Sequence, residues 1–269
     1  MRVTSKVLLV TAAIALPASP LAAADGILIV QKTTSAGGTA SHQIAIEKTR
    51  MRAEAPGRGP EKQSFVFDGT KQVMWLVNDE KKTYSEITKE DVDRLGSQAA
   101  DAMTQVQQQM QSLPPEQRAR IEAMMRGRGL PGAAAPARIE YRKTGTDKVG
   151  AWTCDKYDGY RGDQKISEVC TVDPKTLGFA LEDFEVSRQL AAFFAKLVPQ
   201  GADSVFRIGR GEDGGFSGVP VRQVTIGPPQ SSWEITELKR QAFPDSTFAV
   251  PSGYTKEASP FAGRGRGRQ

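Results

Sequence analysis

The chain has 269 residues, 39% of them hydrophobic and 25% charged, with a formal net charge of +5. Two of the positive charges, Arg2 and Lys6, sit at the N-terminus and three more, Arg264, Arg266 and Arg268, sit in the terminal tail. The body between is close to neutral, which argues against a nucleic-acid surface, and no stretch after the first 24 residues has the roughly eighteen unbroken apolar residues that a spanning helix needs.

The chain opens with a basic start, an apolar run over 7–16, prolines at 17 and 20, and Ala22-Ala23-Ala24 ahead of polar Asp25. This pattern predicts a secretory signal peptide over 1–24, too short and wrongly flanked for a membrane span. The expected location is extracytoplasmic, in the periplasm of a Gram-negative bacterium. No cysteine follows the cleavage pattern, so a lipid anchor there is not expected. About 245 residues would remain, within reach of one large β domain. The pattern puts that single domain over 25–250 and a flexible Arg/Gly-rich tail over 251–269.

From 26 to 87 the chain reads as a β meander. Ile27 to Val30 form a buried-type run, and Ile44 and Ile46 alternate with Gln43, Ala45 and Glu47. Phe65 and Phe67 precede Asp68-Gly69, a hairpin-turn dipeptide. Val73, Trp75 and Val77 alternate with Met74 and Leu76, so this strand should be covered on both faces. A turn over 78–82 leads into a returning strand over 83–87.

The period then changes. Thr88 is a candidate N-cap, with Glu90 and Asp91 in the first turn. Val92, Leu95, Ala99, Met103, Val106, Met110 and Leu113 follow at helical spacing and predict one apolar stripe. Pro114-Pro115 ends this helix and opens a second, with Ile121, Met124 and Met125 apolar. A Gly/Pro/Ala linker follows over 127–137. The segment 88–137 is thus expected to be a helical hairpin inserted into a β domain.

Strands resume over 138–144, 151–160 and 164–172. A helix near 183–198 carries Val186, Leu190, Phe193 and Leu197 on one face and stops at Pro199 and Gly201. Further strands are expected over 204–208, 219–226 and 233–243, then a short closing segment over 248–251.

The only two cysteines are Cys154 and Cys170. In an exported chain the default reading is one disulfide. A three-residue loop, Arg161-Gly162-Asp163, closed by Tyr160 and Gln164 would set the two cysteines directly opposite each other, within bonding reach. Closing that loop contributes roughly 3 kcal/mol in the chain-entropy model. A redox pair and half of a metal site are the rival readings, and both favour tighter spacing.

Several features together resemble a known family: the hairpin Trp-Leu-Val-Asn-Asp-Glu-Lys-Lys-Thr-Tyr at 75–84, the Met-rich helical pair after it, the Cys hairpin, and the ending Phe-x-Val-Pro-x-Gly-Tyr at 248–254. This is an exported bacterial domain family of unknown function, related to the periplasmic lipoprotein-carrier (LolA-like) fold. The resemblance spans about 25–256. It implies an α+β fold: a strongly curved antiparallel sheet, an open half-barrel, with helices across its concave face. The family supplies no catalytic residues to carry over.

The chemistry-bearing motifs are thin. Gly209-x-Gly211-x-x-Gly214 and Gly127-x-Gly129-x-x-Gly132 both fit a dinucleotide pattern, but neither sits in a strand–turn–helix unit, and Glu212 and Asp213 would repel a pyrophosphate. His42 is the only histidine, and no Gly-x-Ser-x-Gly elbow is present. Arg161-Gly162-Asp163 is an integrin-type tripeptide and also what a tight hairpin uses. Leu113-Pro-Pro-Glu-Gln-Arg118 is similar to a helix-opening motif of some periplasmic stress chaperones, and proline at a helix start explains it equally well. The Arg/Gly tail would be solvated or drawn weakly to anionic lipid, at about 1 kcal/mol per basic residue.

Four of the seven methionines, Met103, Met110, Met124 and Met125, fall in the helical insertion. Methionine adapts to irregular apolar partners. The functional reading makes Val92, Leu95, Met103, Val106, Met110, Met124 and Met125 a lid or groove for a hydrophobic ligand: an acyl chain, a lipoprotein or an exposed polypeptide. The plainer reading has them pack the helices onto the sheet. The expected function is therefore that of a non-enzymatic periplasmic binding protein without cofactor or metal. The alternatives are an envelope interaction module whose groove is self-filled, and a hydrolase working through carboxylates.

Overall fold

The computed structural model describes residues 26–55, 63–127, 139–197 and 215–261. The expected signal peptide, most of the linker 127–137, the strand expected over 204–208, the glycine pattern at 209–214 and the Arg/Gly tail lie outside the described residues.

Among the described residues twelve strands form one sheet, in the order β12-β6-β5-β4-β3-β2-β1-β11-β10-β9-β8-β7. The first meander is β1 (Gly26–Ser35), β2 (Gly38–Ile46), β3 (Arg50–Ala55), β4 (Gln63–Asp68), β5 (Val73–Asn78) and β6 (Thr83–Thr88). Helices α1 (Lys89–Gln111) and α2 (Pro115–Gly127) follow. The second meander is β7 (Glu140–Val149), β8 (Trp152–Arg161) and β9 (Gln164–Val172), then α3 (Glu185–Phe194), β10 (Val219–Thr225) and β11 (Ser231–Gln241). Pairing of β1 with β11 joins the two meanders, and β12 (Thr255–Glu257) lies parallel to β6 at one end. All the other pairs are antiparallel; short hairpins require this within each run of consecutive strands, while β9 and β10 pair across the connection that carries α3.

The α+β class and the antiparallel sheet agree with the expectation, but the strong curl does not: the sheet is open-ended and not strongly curled. Bulges are the devices that bend a sheet. Here the register shifts fall at Val30/Gln31, Lys143/Gly145, Gly159/Tyr160 and Pro220/Arg222, whereas β2 through β6 pair in unbroken register. Described structure also runs past residue 250, through β12 to Phe261, where the sequence loses its pattern.

Both faces of the first meander are covered. Alternation along β4 and β5 sends Phe67 and Met74 to a main core with Ile27, Ile46, Met51 and Ile87. It sends Val66 and Val77 to a second cluster under Phe248. Helix α3 closes the main core with Val186, Leu190 and Phe193, aided by Phe184 from the preceding 3-10 turn Leu181–Phe184. The ring of Phe193 meets that of Phe67 edge-on, with centroids 5.3 Å apart. Leu197 also packs against this core, so the face read from the α3 sequence is the buried one.

Cys154 and Cys170 form a disulfide inside the main core, with Cα atoms 5.5 Å apart. Their pairing is as expected, but the register is not. Arg161 pairs with Gln164 around a two-residue turn, Gly162-Asp163, with Gly162 at φ 61°. The shift between Gly159 and Tyr160 then sets Lys156, not Cys154, opposite Cys170. The bond therefore runs diagonally along the same face.

Candidate functional site

The helical insertion is built on two caps. The Asp91 N–H donates to Thr88 Oγ1 at 3.2 Å, and the Thr88 N–H donates to Asp91 Oδ2 at 3.3 Å, a reciprocal capping box. At the other end α1 has no basic residue of its own in its last turn. Arg118 of α2 supplies one, donating from Nε to the Met110 carbonyl at 3.1 Å and from Nη2 to the Gln111 carbonyl at 3.0 Å. The Pro-Pro-Glu-Gln-Arg motif thus starts α2 so that the arginine of its first turn closes α1.

A close crossing with the end of α3 helps tie α1 to the body. A Cβ on Gly96 would lie 2.7 Å from Lys196 Cβ and 3.1 Å from the Lys196 carbonyl oxygen. The absence of a side chain at Gly96 is what lets α1 approach the end of α3. Asp93 adds ion pairs to Lys196 (3.4 Å) and to Lys89.

The apolar stripe does not lie along the sheet. Val92 is fully buried and belongs to the main core. Leu95 and Met103 are half-buried, Ala99 is exposed, and Val106 is 37% exposed. Met110 is buried near the cap made by Arg118, outside the main core. Met124 and Met125 have their backbone in α2, and their side chains are outside the described residues. Between Leu95 and Pro115 the only charged residue is Asp101. Beyond Arg94 this helix has an apolar stripe and one charge, and little of the described structure covers its middle.

Elsewhere many of the charged groups are in ion pairs. On β8 and β9, Lys165 Nζ lies 2.7 Å from both Asp158 and Glu168, and Lys156 reaches Glu168 at 3.3 Å. Arg222 pairs with Asp147 and Lys32 with Glu234. An open cleft of about 700 Å³ is lined by Glu47, Lys48, Thr49, Arg50, Glu182, Asp183 and Arg240. Its Arg50 binds Glu47 and Asp245, and its Arg240 binds Asp183. Among the described residues, every carboxyl whose pKa is displaced is displaced downward. Glu168 is held low by Lys165 and then Lys156 against the push of burial, and Glu86 by Lys256 and the Trp75 indole N–H. A general acid needs the opposite displacement. Among the described residues no group of three or more His, Cys, Asp or Glu is placed to hold a metal ion. His42 sits on β2 opposite Gln31, its Nε2 buried without a partner. Gly162-Asp163 is a hairpin turn.

No family model matches the sequence, and comparison with curated proteins finds no relative. Similar solved structures include an uncharacterized conserved protein from Thermus thermophilus, at TM-score 0.44 and 8% identity, covering 87% of this chain and 91% of that one. MucB in complex with MucA(peri) is similar at TM-score 0.34 and 14% identity, over 84% of this chain and 56% of that one. A putative outer membrane lipoprotein-sorting protein domain from Vibrio parahaemolyticus is similar at TM-score 0.27 and 7% identity, over 84% and 89%. At TM-scores this low the likenesses assign no function.

Sequence reading missed Gly96, Arg118, β3 and β12. The lone glycine inside the α1 stripe was the available signal for a close helix crossing. Arg118 lies in the Leu113–Arg118 motif, but its capping role depends on the geometry of the turn between α1 and α2.

Proposed function

We propose that this chain is a non-enzymatic extracytoplasmic binding protein that takes a hydrophobic partner on the exposed stripe of α1. The observation that carries the reading is the placement of Leu95, Met103 and Val106: apolar, regularly spaced, and outside the core that α3 already fills. Large apolar residues gathered on a helical stretch with a single charge after Arg94 suit a partner-binding face. The core disulfide fits an oxidising compartment.

Filling of the sheet face by Phe184, Leu190 and Phe193 favours a partner docked on the helix over an acyl chain held beneath it. The partner class is an exposed apolar polypeptide segment. Met103→Lys together with Val106→Lys should weaken binding of a permanently unfolded, carboxymethylated polypeptide by tenfold or more. The melting temperature should move by less than about 2 °C, since both sites are partly solvated. Unchanged affinity in the double variant would refute the site. Tight binding of palmitate that is lost in the double variant would replace the polypeptide with a lipid.

A further inference from the structure

Among the described residues, the outer edge of β6 pairs with β12, a three-residue run lying parallel to Thr83–Ser85. All three β12 residues are exposed. The Thr255 N–H donates to the Lys82 carbonyl at 2.9 Å. The side-chain ties lie at the surface: Lys256 to Glu86 at 2.8 Å, with the lysine side chain 53% exposed, and the Tyr254 hydroxyl donating to Asp79 Oδ1 at 3.0 Å. Short parallel pairing and surface ion pairs make a weak closure.

The chain reaches this edge last. After β11 it crosses one face, where Phe248 buries against Val66 and Val77. It turns over the edge as β12, and Phe261 then packs against the main core of the opposite face. The segment grips both faces of the sheet around one edge. Beside that edge is a cleft of about 310 Å³, whose lining includes Phe65, Leu76, Tyr84, Ser85, Glu257 and Pro260. Leu76 stands in register between Phe65 and Ser85, one step from the buried row Phe67, Met74 and Ile87, yet it is 36% exposed. It is a mid-strand leucine presented to the cleft.

A strand edge that offers main-chain hydrogen bonds next to a pocket for a side chain is how extended peptides are bound by strand addition. We infer that the β6 edge is a strand-addition site for an extended polypeptide that places an apolar side chain in the Leu76 cleft, and that the strap Tyr254–Phe261 is its resident occupant. The occupant's chemistry is read from the strap: extended backbone along Thr83–Ser85, then Ser259-Pro260-Phe261, of which the proline lines the cleft and the phenylalanine reaches the core. The site is separate from the exposed face of α1, so each can fail alone.

The test uses the full chain and a labelled peptide with the sequence of residues 254–261 added in trans. Lys256→Ala with Tyr254→Phe removes two ties of the strap and leaves the cleft intact. Phe261→Ala is a second route, removing only the anchor on the core side. Either should make β6 and β12 amides exchange faster and should tighten peptide binding at least tenfold, because a tethered competitor has been loosened. Adding Leu76→Lys to a loosened variant should abolish that binding, while the double change at Met103 and Val106 should not touch it. The inference is overturned if the loosened edge exchanges faster and the peptide binds no tighter. It is equally overturned if binding survives Leu76→Lys, or if β12 stays as protected as β4 in both loosened variants.

Discussion

Asp68 shows how a single side chain serves two purposes. The dipeptide Asp68-Gly69 was legible as a turn, and the turn is there, but it spans four residues between paired Asp68 and Val73, with Gln72 at φ 52°. Asp68 Oδ1 accepts from the N–H groups of Thr70 and Lys71, both at 3.0 Å. Gly69 also has a tertiary contact: a Cβ there would lie 1.8 Å from Gln189 Oε1 of α3, so that side chain would have to swing away. No local pattern carries that information. Burial alone would raise the pKa of Asp68, but the Lys71 N–H and ammonium and the Thr70 N–H outweigh it and leave the carboxyl below its usual range. Asp91 is lowered in the same way by Thr88 and Arg94 against burial. Carboxyls depressed in the folded state stabilise it fully above the ordinary carboxylate range, near pH 4, and that stabilisation is lost as pH falls through the lower folded values. The urea midpoint should therefore be flat from about pH 6 to 7 and fall below about pH 4, less steeply in Asp68→Asn. A midpoint that rises on acidification would contradict these assignments.

Among the elements, those with a strict period were legible and those defined by their neighbours were not. Helix α1 was bounded by its cap and by Pro114-Pro115, and β9 by the Cys hairpin. Strand β3, Arg-Met-Arg-Ala-Glu-Ala, alternates strictly, with Met51 and Ala53 buried, but its residues have low strand propensity and gave no signal. The surface under the α1 stripe was not legible either, because periodicity predicts an apolar face and not what covers it. Gly96 decides where α1 touches the body. In Gly96→Ala the helix gains about 1 kcal/mol of propensity. The added methyl meets Lys196 backbone and Cβ, an overpacking that costs about 1–3 kcal/mol. The expected result is a lower urea midpoint with unchanged slope, and faster amide exchange along α1 but not along α3. A raised midpoint would mean that α1 tolerates displacement from α3.

At the scale of the molecule, the antiparallel order of both meanders followed from hairpin lengths and alternation, whereas the pairing of β1 with β11 across the chain could not be read locally. The strong curl rested on resemblance alone, and the regular register of β2 through β6 does not supply it. The resulting architecture fills its own apolar sheet face with α3 and leaves α1 as the surplus apolar surface. Methyl NMR of the full chain titrated with an unfolded apolar polypeptide would distinguish the two surfaces. Leu95, Met103 and Val106 should shift, with Leu190 and Val186 unmoved. Shifts centred on Leu190, Val186 and Met74, with α1 silent, would mean that the ligand displaces α3 from the sheet, and would contradict binding on α1.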